Sequence, residues 1–151
     1  MKKKAIVILL SLALLLAAGL QSVTAQRPAL TYLIEQDSNG GTAAGATAAP
    51  AWVESGVKGW TLTALSDAGV DCYLYKAAPG QPMAIHKSDV EWLVYVIEGN
   101  GQVILSDADS KPTGVVNFKK GDYMIFRANT LHGWKGGTVE SQILFVTPTK
   151  K

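Results

Sequence analysis

From Trp52 onward the chain is a succession of short segments rich in β-branched and aromatic residues, cut at close intervals by turn residues. Nowhere does an apolar repeat of 3.6 residues persist for three turns, so no long amphipathic helix is available to build a core. Residues 60–65 alternate, Asp67-Ala68-Gly69 turns the chain, and residues 70–76 follow with Cys72, Leu74 and Lys76 opposite Tyr73 and Tyr75. Pro79-Gly80 breaks that run. Further β-type runs are expected at 83–86, 92–98, 102–106, 115–118, 123–127 and 142–147. Gly99-Asn100-Gly101 and Lys120-Gly121-Asp122 supply turn signals between them. Eight or nine short strands at such spacing predict an all-β sandwich or small barrel.

The beginning of the chain has a different texture. Lys2, Lys3 and Lys4 precede an apolar run from Ala5 to Leu20 and then small and polar residues up to Gln26. A basic start, an apolar middle and small residues at Val23 and Ala25 read as a secretory signal peptide over 1–25, cut after Ala25. Its sixteen apolar-run residues fall short of the roughly 20 that a membrane span needs. No cysteine lies near the cut to take a lipid. The expected location is secreted or periplasmic. Those three lysines belong to a total of 14 basic residues, and the other 11 face 12 acidic ones. A near-neutral domain offers no electrostatic case for nucleic acid. Cys72 is the sole cysteine, so no internal disulfide forms and cysteine-rich zinc sites are excluded.

Residues 26–51 are expected to hold one strand at 30–34 and then a flexible Gly/Ala/Thr linker from Asn39 to Pro50, which lacks any apolar period. Residues 52–151 form the folded domain. Within it stand the only two histidines, His86 and His132. His86 ends Gly80-Gln81-Pro82-Met83-Ala84-Ile85-His86, and His132 follows Gly121 by eleven positions.

These two stretches resemble the paired motifs of the cupin superfamily. The first family motif is Gly, five residues, His-x-His, three or four residues, Glu, six residues, Gly. Gly80, His86 and Gly99 stand at its positions, with Tyr95, Val96 and Glu98 in the hairpin end. The second is Gly, five residues, Pro-x-Gly, two residues, His, three residues, Asn, and Gly121, Asp122 and His132 keep its spacing. The resemblance covers roughly residues 59–147. It implies a cupin-type conical β-barrel, a double-stranded β-helix or jelly roll.

In metal-binding cupins, two His and a Glu of the first motif join the His of the second around one divalent ion. Carried over, His86 and His132 are retained, Ser88 replaces the second His, and Trp92 stands at the Glu position. Glu91 is one residue early. Arg127, Asn129 and Gly136 replace Pro, Gly and Asn of the second motif. Strand alternation sends Glu91 outward while Trp92 faces in with Val94 and Val96, unless a bulge returns Glu91 to the inside. A first-row metal wants three or more protein ligands. His86, Glu91 and His132 would make a His₂-carboxylate set able to hold Fe, Mn, Ni or Zn, with Asp89 a poorer substitute. The alternative is a pair of pocket histidines that serve a ligand without metal.

Trp92 either stacks against a ligand or fills the core. Arg127 either clamps a carboxylate or phosphate or stands exposed at the barrel rim. Tyr73, Tyr75, Tyr95 and Trp134 read as packing residues, Cys72 as a small buried hydrophobe, and Lys119-Lys120 as a solvated turn. Two functional classes follow. One is a binding module holding a small organic ligand through His86, Trp92, Arg127 and His132. The other is a metal-dependent cupin enzyme of dioxygenase, isomerase or lyase type. Metal-free acid–base catalysis, with His86 or His132 as base and Tyr123 or Tyr95 as acid, is a third course. A homodimer through sheet edges, using residues 30–34, is also open.

Overall fold

The computed structural model of the chain describes residues 30–149 apart from 37 and 68. The signal peptide read over 1–25 and its cut after Ala25 lie outside them. Two compact units divide at 49/50. In the first, β1 (Leu30–Gln36) and β2 (Thr42–Ala48) pair antiparallel, with Leu30 opposite Ala48 and Gln36 opposite Thr42. The expected strand at 30–34 is therefore present, but the segment read as a flexible linker carries a strand. Its alanines and glycine have little β propensity of their own. Pairing with β1 supplies the backbone hydrogen bonds that composition could not foretell.

The second unit holds β3 (Val53–Glu54), β4 (Trp60–Asp67), β5 (Val70–Ala77), β6 (Pro82–His86), β7 (Trp92–Glu98) and β8 (Asn100–Ser106). It continues with β9 (Pro112–Lys119), β10 (Tyr123–Phe126), β11 (His132–Gly136) and β12 (Ser141–Pro148). A six-stranded sheet in the order β10-β7-β12-β5-β4-β3 faces a four-stranded sheet in the order β6-β11-β8-β9. Every pairing is antiparallel. No helix occurs among the described residues, as the missing 3.6-residue period requires.

The eight expected runs of the barrel all appear, most with a residue or two added at an end. β3 and β11 were not anticipated. β11 reads His-Gly-Trp-Lys-Gly, too rich in glycine to look like a strand. It is one because β6 and β8 hold it from both sides.

The core lies between the sheets. Trp60, Val94, Val96, Trp134 and Ile143 are at most 1% exposed. Alternation along the six-stranded sheet sends the residues between its core positions outward, and two rows of these are largely apolar too. In one row Ile125 lies opposite Leu93, Leu93 opposite Val146, Val146 opposite Cys72, and Cys72 opposite Leu65. In the next, Tyr123 lies opposite Tyr95, Tyr95 opposite Leu144, and Leu144 opposite Leu74. Cys72 is thus half-exposed on the outer face, a correction to its reading as a buried hydrophobe: it occupies the parity opposite to the core-facing Tyr73 and Tyr75.

Candidate functional site

β11 is the element that assembles the site. It runs antiparallel to β6 with His132 directly opposite His86, so two histidines 46 positions apart become cross-strand neighbours. Their ring centroids are 4.6 Å apart. His86 Nδ1 is 2.8 Å from the Ala84 carbonyl oxygen, and His132 Nδ1 is 2.9 Å from that of Thr130. A carbonyl oxygen only accepts, so in the neutral ring each Nδ1 carries the proton and donates it. Each Nε2 is then left with a bare lone pair. The pair presents two acceptors of the same kind.

Both rings line a cavity of about 220 Å³ together with Tyr75, Met83, Ser88, Trp92, Phe126, Trp134 and Phe145. His86 stands exposed at its mouth and His132 is buried. Phe126 lies 4.3 Å from the His132 ring, and Trp134 packs edge-on against both His132 and Phe145. This apolar shell pushes the His132 pKa below its ordinary value, chiefly by burial. A charge on His86 would push it the same way, while the bond to Thr130 opposes both. His132 is accordingly neutral at pH 7. A more open cleft of about 300 Å³ adjoins, sharing Tyr75, Met83 and His86 with the first.

The motif positions have structural reasons. Gly80, Gly99 and Gly121 all adopt positive φ, between 70° and 89°, a conformation that costs glycine no steric penalty. Asn129 stands where the cupin motif carries glycine and holds φ 63°, which asparagine tolerates better than most residues. Its backbone N–H donates to the Ser88 carbonyl at 2.6 Å. That bond ties the loop after β10 to the loop after β6, fixing the two walls from which His132 and His86 rise.

Of the residues singled out in sequence, the structure brings together His86, His132 and Trp92. It does not bring Arg127 or Glu91 to the cavity. Arg127 Nη1 donates to both Glu91 carboxylate oxygens, at 3.0 and 2.9 Å, and their side chains are 72% and 54% exposed. Glu91 points outward as alternation requires, and no bulge returns it. The Thr147 hydroxyl donates to the Glu91 carbonyl at 2.8 Å, holding the start of β7 in the register that turns Trp92 inward. The carboxylate of the proposed His₂-carboxylate set is thus committed elsewhere. Among the described residues no three His, Cys, Asp or Glu side chains assemble a metal site. The residues at the pocket therefore do not fit the four-donor set of metal-binding cupins, since Ser88 and Trp92 stand where two of its ligands would.

Sequence reasoning missed Met83, Phe126 and Phe145 as pocket residues, and took Tyr75 and Trp134 for packing alone. Their recognition needs the strand order β5-β12-β7, which places Phe145 between Tyr73 and Val94. A larger open groove of about 470 Å³ is lined by Asn100, Gln102, Asn117 and Lys135, among others. Its amides are engaged internally: Gln102 donates to Asn117, and Asn100 accepts from the Thr138 backbone.

No family model matches the chain, and no curated protein matches it. Solved structures do. The polyketide cyclase RemF from Streptomyces resistomycificus is 22% identical, with a TM-score of 0.56 over 64% of this chain and 70% of that one. An RmlC-like cupin from Shewanella frigidimarina is 14% identical, with a TM-score of 0.56 over 68% of this chain and 86% of the other. Oxalate decarboxylase from Bacillus subtilis, described with Mn(II) centres, is 16% identical with a TM-score of 0.53; the match takes in 61% of this chain but 26% of that protein. At such identities the likeness speaks for the fold.

Proposed function

Starting from a chain with the cupin fold, we propose that it binds a small organic ligand in the barrel pocket, held between the two imidazoles and the aromatic wall. One observation carries this: His86 and His132 each spend Nδ1 on a backbone carbonyl and keep Nε2 free as an acceptor. A ligand that satisfies them brings an O–H or N–H donor at one end. Trp92, Phe126 and Phe145 favour a flat apolar body behind it. A 150 Å³ cavity holds benzene, so about 220 Å³ suits one ring with a few substituents. The leader-like residues 1–25 support a secreted or periplasmic place for this binding.

Trp92 and Trp134 line the pocket, so tryptophan fluorescence reports occupancy. Titration with phenol, catechol and 1-naphthol is expected to give saturable quenching that weakens about tenfold or more in His132→Ala, one lost hydrogen bond being worth roughly 1 kcal/mol and the cavity change adding to it. Quenching that is absent for all three, or unchanged in the His86→Ala/His132→Ala double variant, would overturn the proposal.

A metal-dependent enzyme is the second reading, favoured by the closeness of the two imidazoles and by the Mn(II) centres of a fold neighbour. It needs donors beyond those the chain supplies. Elemental analysis of the untagged protein separates the two. Near one iron, manganese, nickel or zinc per chain favours the enzyme, and a metal-poor protein that still binds phenols favours the binding module.

A further inference from the structure

We propose that the ligand has two parts: a ring with an O–H or N–H donor, held at the histidines, and a short unbranched apolar tail lying in the adjoining cleft of about 300 Å³. This rests on the binding reading above and narrows it to a class of molecule, the alkyl-substituted phenols and their like.

The cleft lies along β6, an edge strand of the four-stranded sheet that pairs with β11 alone among the described residues. His86 lies opposite His132 and Met83 opposite Trp134, so Ala84 and Ile85 together stand against the single residue Gly133. In a regular strand, positions three apart point to opposite faces. This bulge brings Met83 and His86 to the same pocket. Residues 83–86 also line the cleft, together with Tyr75 and with Ser55 and Val57, which follow β3.

Chemistry separates the two spaces. The pocket holds both Nε2 acceptors. In the cleft the polar groups of the wall are already engaged: the Ser55 hydroxyl accepts from the Val57 N–H at 3.2 Å, and the Ala84 carbonyl accepts from His86 Nδ1. Val57, Met83, Ala84 and Ile85 supply its apolar surface, and no Asp, Glu, Lys or Arg lines either space. A charged or many-hydroxyl extension finds no partner there, whereas an alkyl chain does.

Tyr75, Met83 and His86 line both spaces. Tyr75 is held edge-on by Trp60 and Phe145, with centroids at 6.4 and 5.1 Å. Met83, unbranched and flexible, is the shared wall that adapts to a substituent passing from one space to the other. Room suffices: a cavity of about 150 Å³ holds benzene, and the cleft has twice that volume for a chain of about four carbons.

Tryptophan quenching of the full chain by phenol, 4-ethylphenol and 4-n-butylphenol tests this. A methylene half-covered by an open cleft tightens binding about twofold, so the butyl compound is expected to bind about 15-fold more tightly than phenol. In Val57→Phe, which fills the cleft from its wall, that ratio is expected to fall to about twofold or less. Ser55→Phe reads the same ratio from a neighbouring position if the first variant does not fold. Phenol bound with no gain along the series overturns the tail while leaving the pocket reading in place. A gain that persists in the folded variants places the chain elsewhere on the protein and overturns it equally. Absence of quenching by all three compounds overturns the pocket reading and the tail with it.

Discussion

The two faces of the six-stranded sheet are made by the same strands and differ only by one step along each of them. Inward, Trp92, Val94, Phe145 and Tyr75 meet the second sheet and surround the two histidines. Outward, Leu93, Tyr95, Leu144 and Leu74 point away from the second sheet, and Pro50 lines a shallow hollow with Leu74 and Leu144. The inner face is aromatic and walls the cavity into which the histidines of the second sheet point; the outer one is apolar and uncharged at its centre. Periodicity of two therefore decides chemistry here. Trp92 and Glu91 are adjacent in sequence, yet one walls the pocket and the other pairs with Arg127 in solvent.

The largest effect separating the faces is on stability. Trp134→Ala, on β11 of the second sheet where it packs against the inner face, deletes a side chain 1% exposed that touches Phe118, Phe126 and Phe145. It is expected to cost about 3–5 kcal/mol in urea unfolding, independent of protein concentration. Leu93→Ala, half-exposed on the outer face, is expected to cost roughly 1 kcal/mol. Equal losses would erase the distinction.

A second prediction moves a carboxylate across the sheet. Trp92→Glu places an acid on the inner face beside His86 and His132, at the position where the cupin motif carries its glutamate. That variant is expected to gain stability from added Zn²⁺ or Mn²⁺, about 2.7 kcal/mol when the ion stands at a hundred times its dissociation constant. Glu91→Gln, on the outer face, is expected to leave any response to these ions unchanged. Thermal shift with and without metal checks both, and failure of Trp92→Glu to respond would mean that a carboxylate alone does not restore the site.

Much of this was legible in the residues. The all-β fold followed from turn spacing, and the inward direction of Trp92 and outward direction of Glu91 followed from alternation alone. Other features were not legible because they depend on which strands are neighbours. β11 has two glycines in five residues and becomes a strand only between β6 and β8. β2 exists through its ladder to β1. Arg127 reads equally well as a clamp or a rim residue, and the Glu91 carboxylate one strand away decides for the rim. Phe145 and Tyr75 join the pocket through the register of β12 with β5, which no local pattern encodes.

A smaller effect should appear with pH. The folded-state pKa of His132 lies below its ordinary value, mainly through burial. The unfolded chain therefore takes up this proton first, near pH 6.5, and stability falls as pH drops from about 7 through that value until the folded pKa is reached. His132→Gln is expected to flatten this part of the profile, measured by urea unfolding between pH 8 and 5. The carboxyl of Glu98, lowered by its bond to Lys120, titrates further down and does not intrude. A slope that persists in His132→Gln would assign it to another group. In the folded protein the same proton occupies Nε2 only lower down, so phenol binding should weaken as pH falls through the depressed folded-state pKa of His132.

The smallest effect is expected at the rim. In the Arg127–Glu91 pair one nitrogen, Nη1, is shared between both carboxylate oxygens and both side chains are more than half exposed; such pairs contribute about 0–1 kcal/mol in water. Arg127→Ala should therefore change stability by no more than that, with the change shrinking in 0.5 M salt as the charges are screened. It should leave phenol quenching of Trp92 and Trp134 as in the unaltered protein, because the guanidinium belongs to the outer face. A tenfold loss of quenching affinity in Arg127→Ala would place that side chain on the ligand, and the separation of the two faces would fail at the strand end where they come closest.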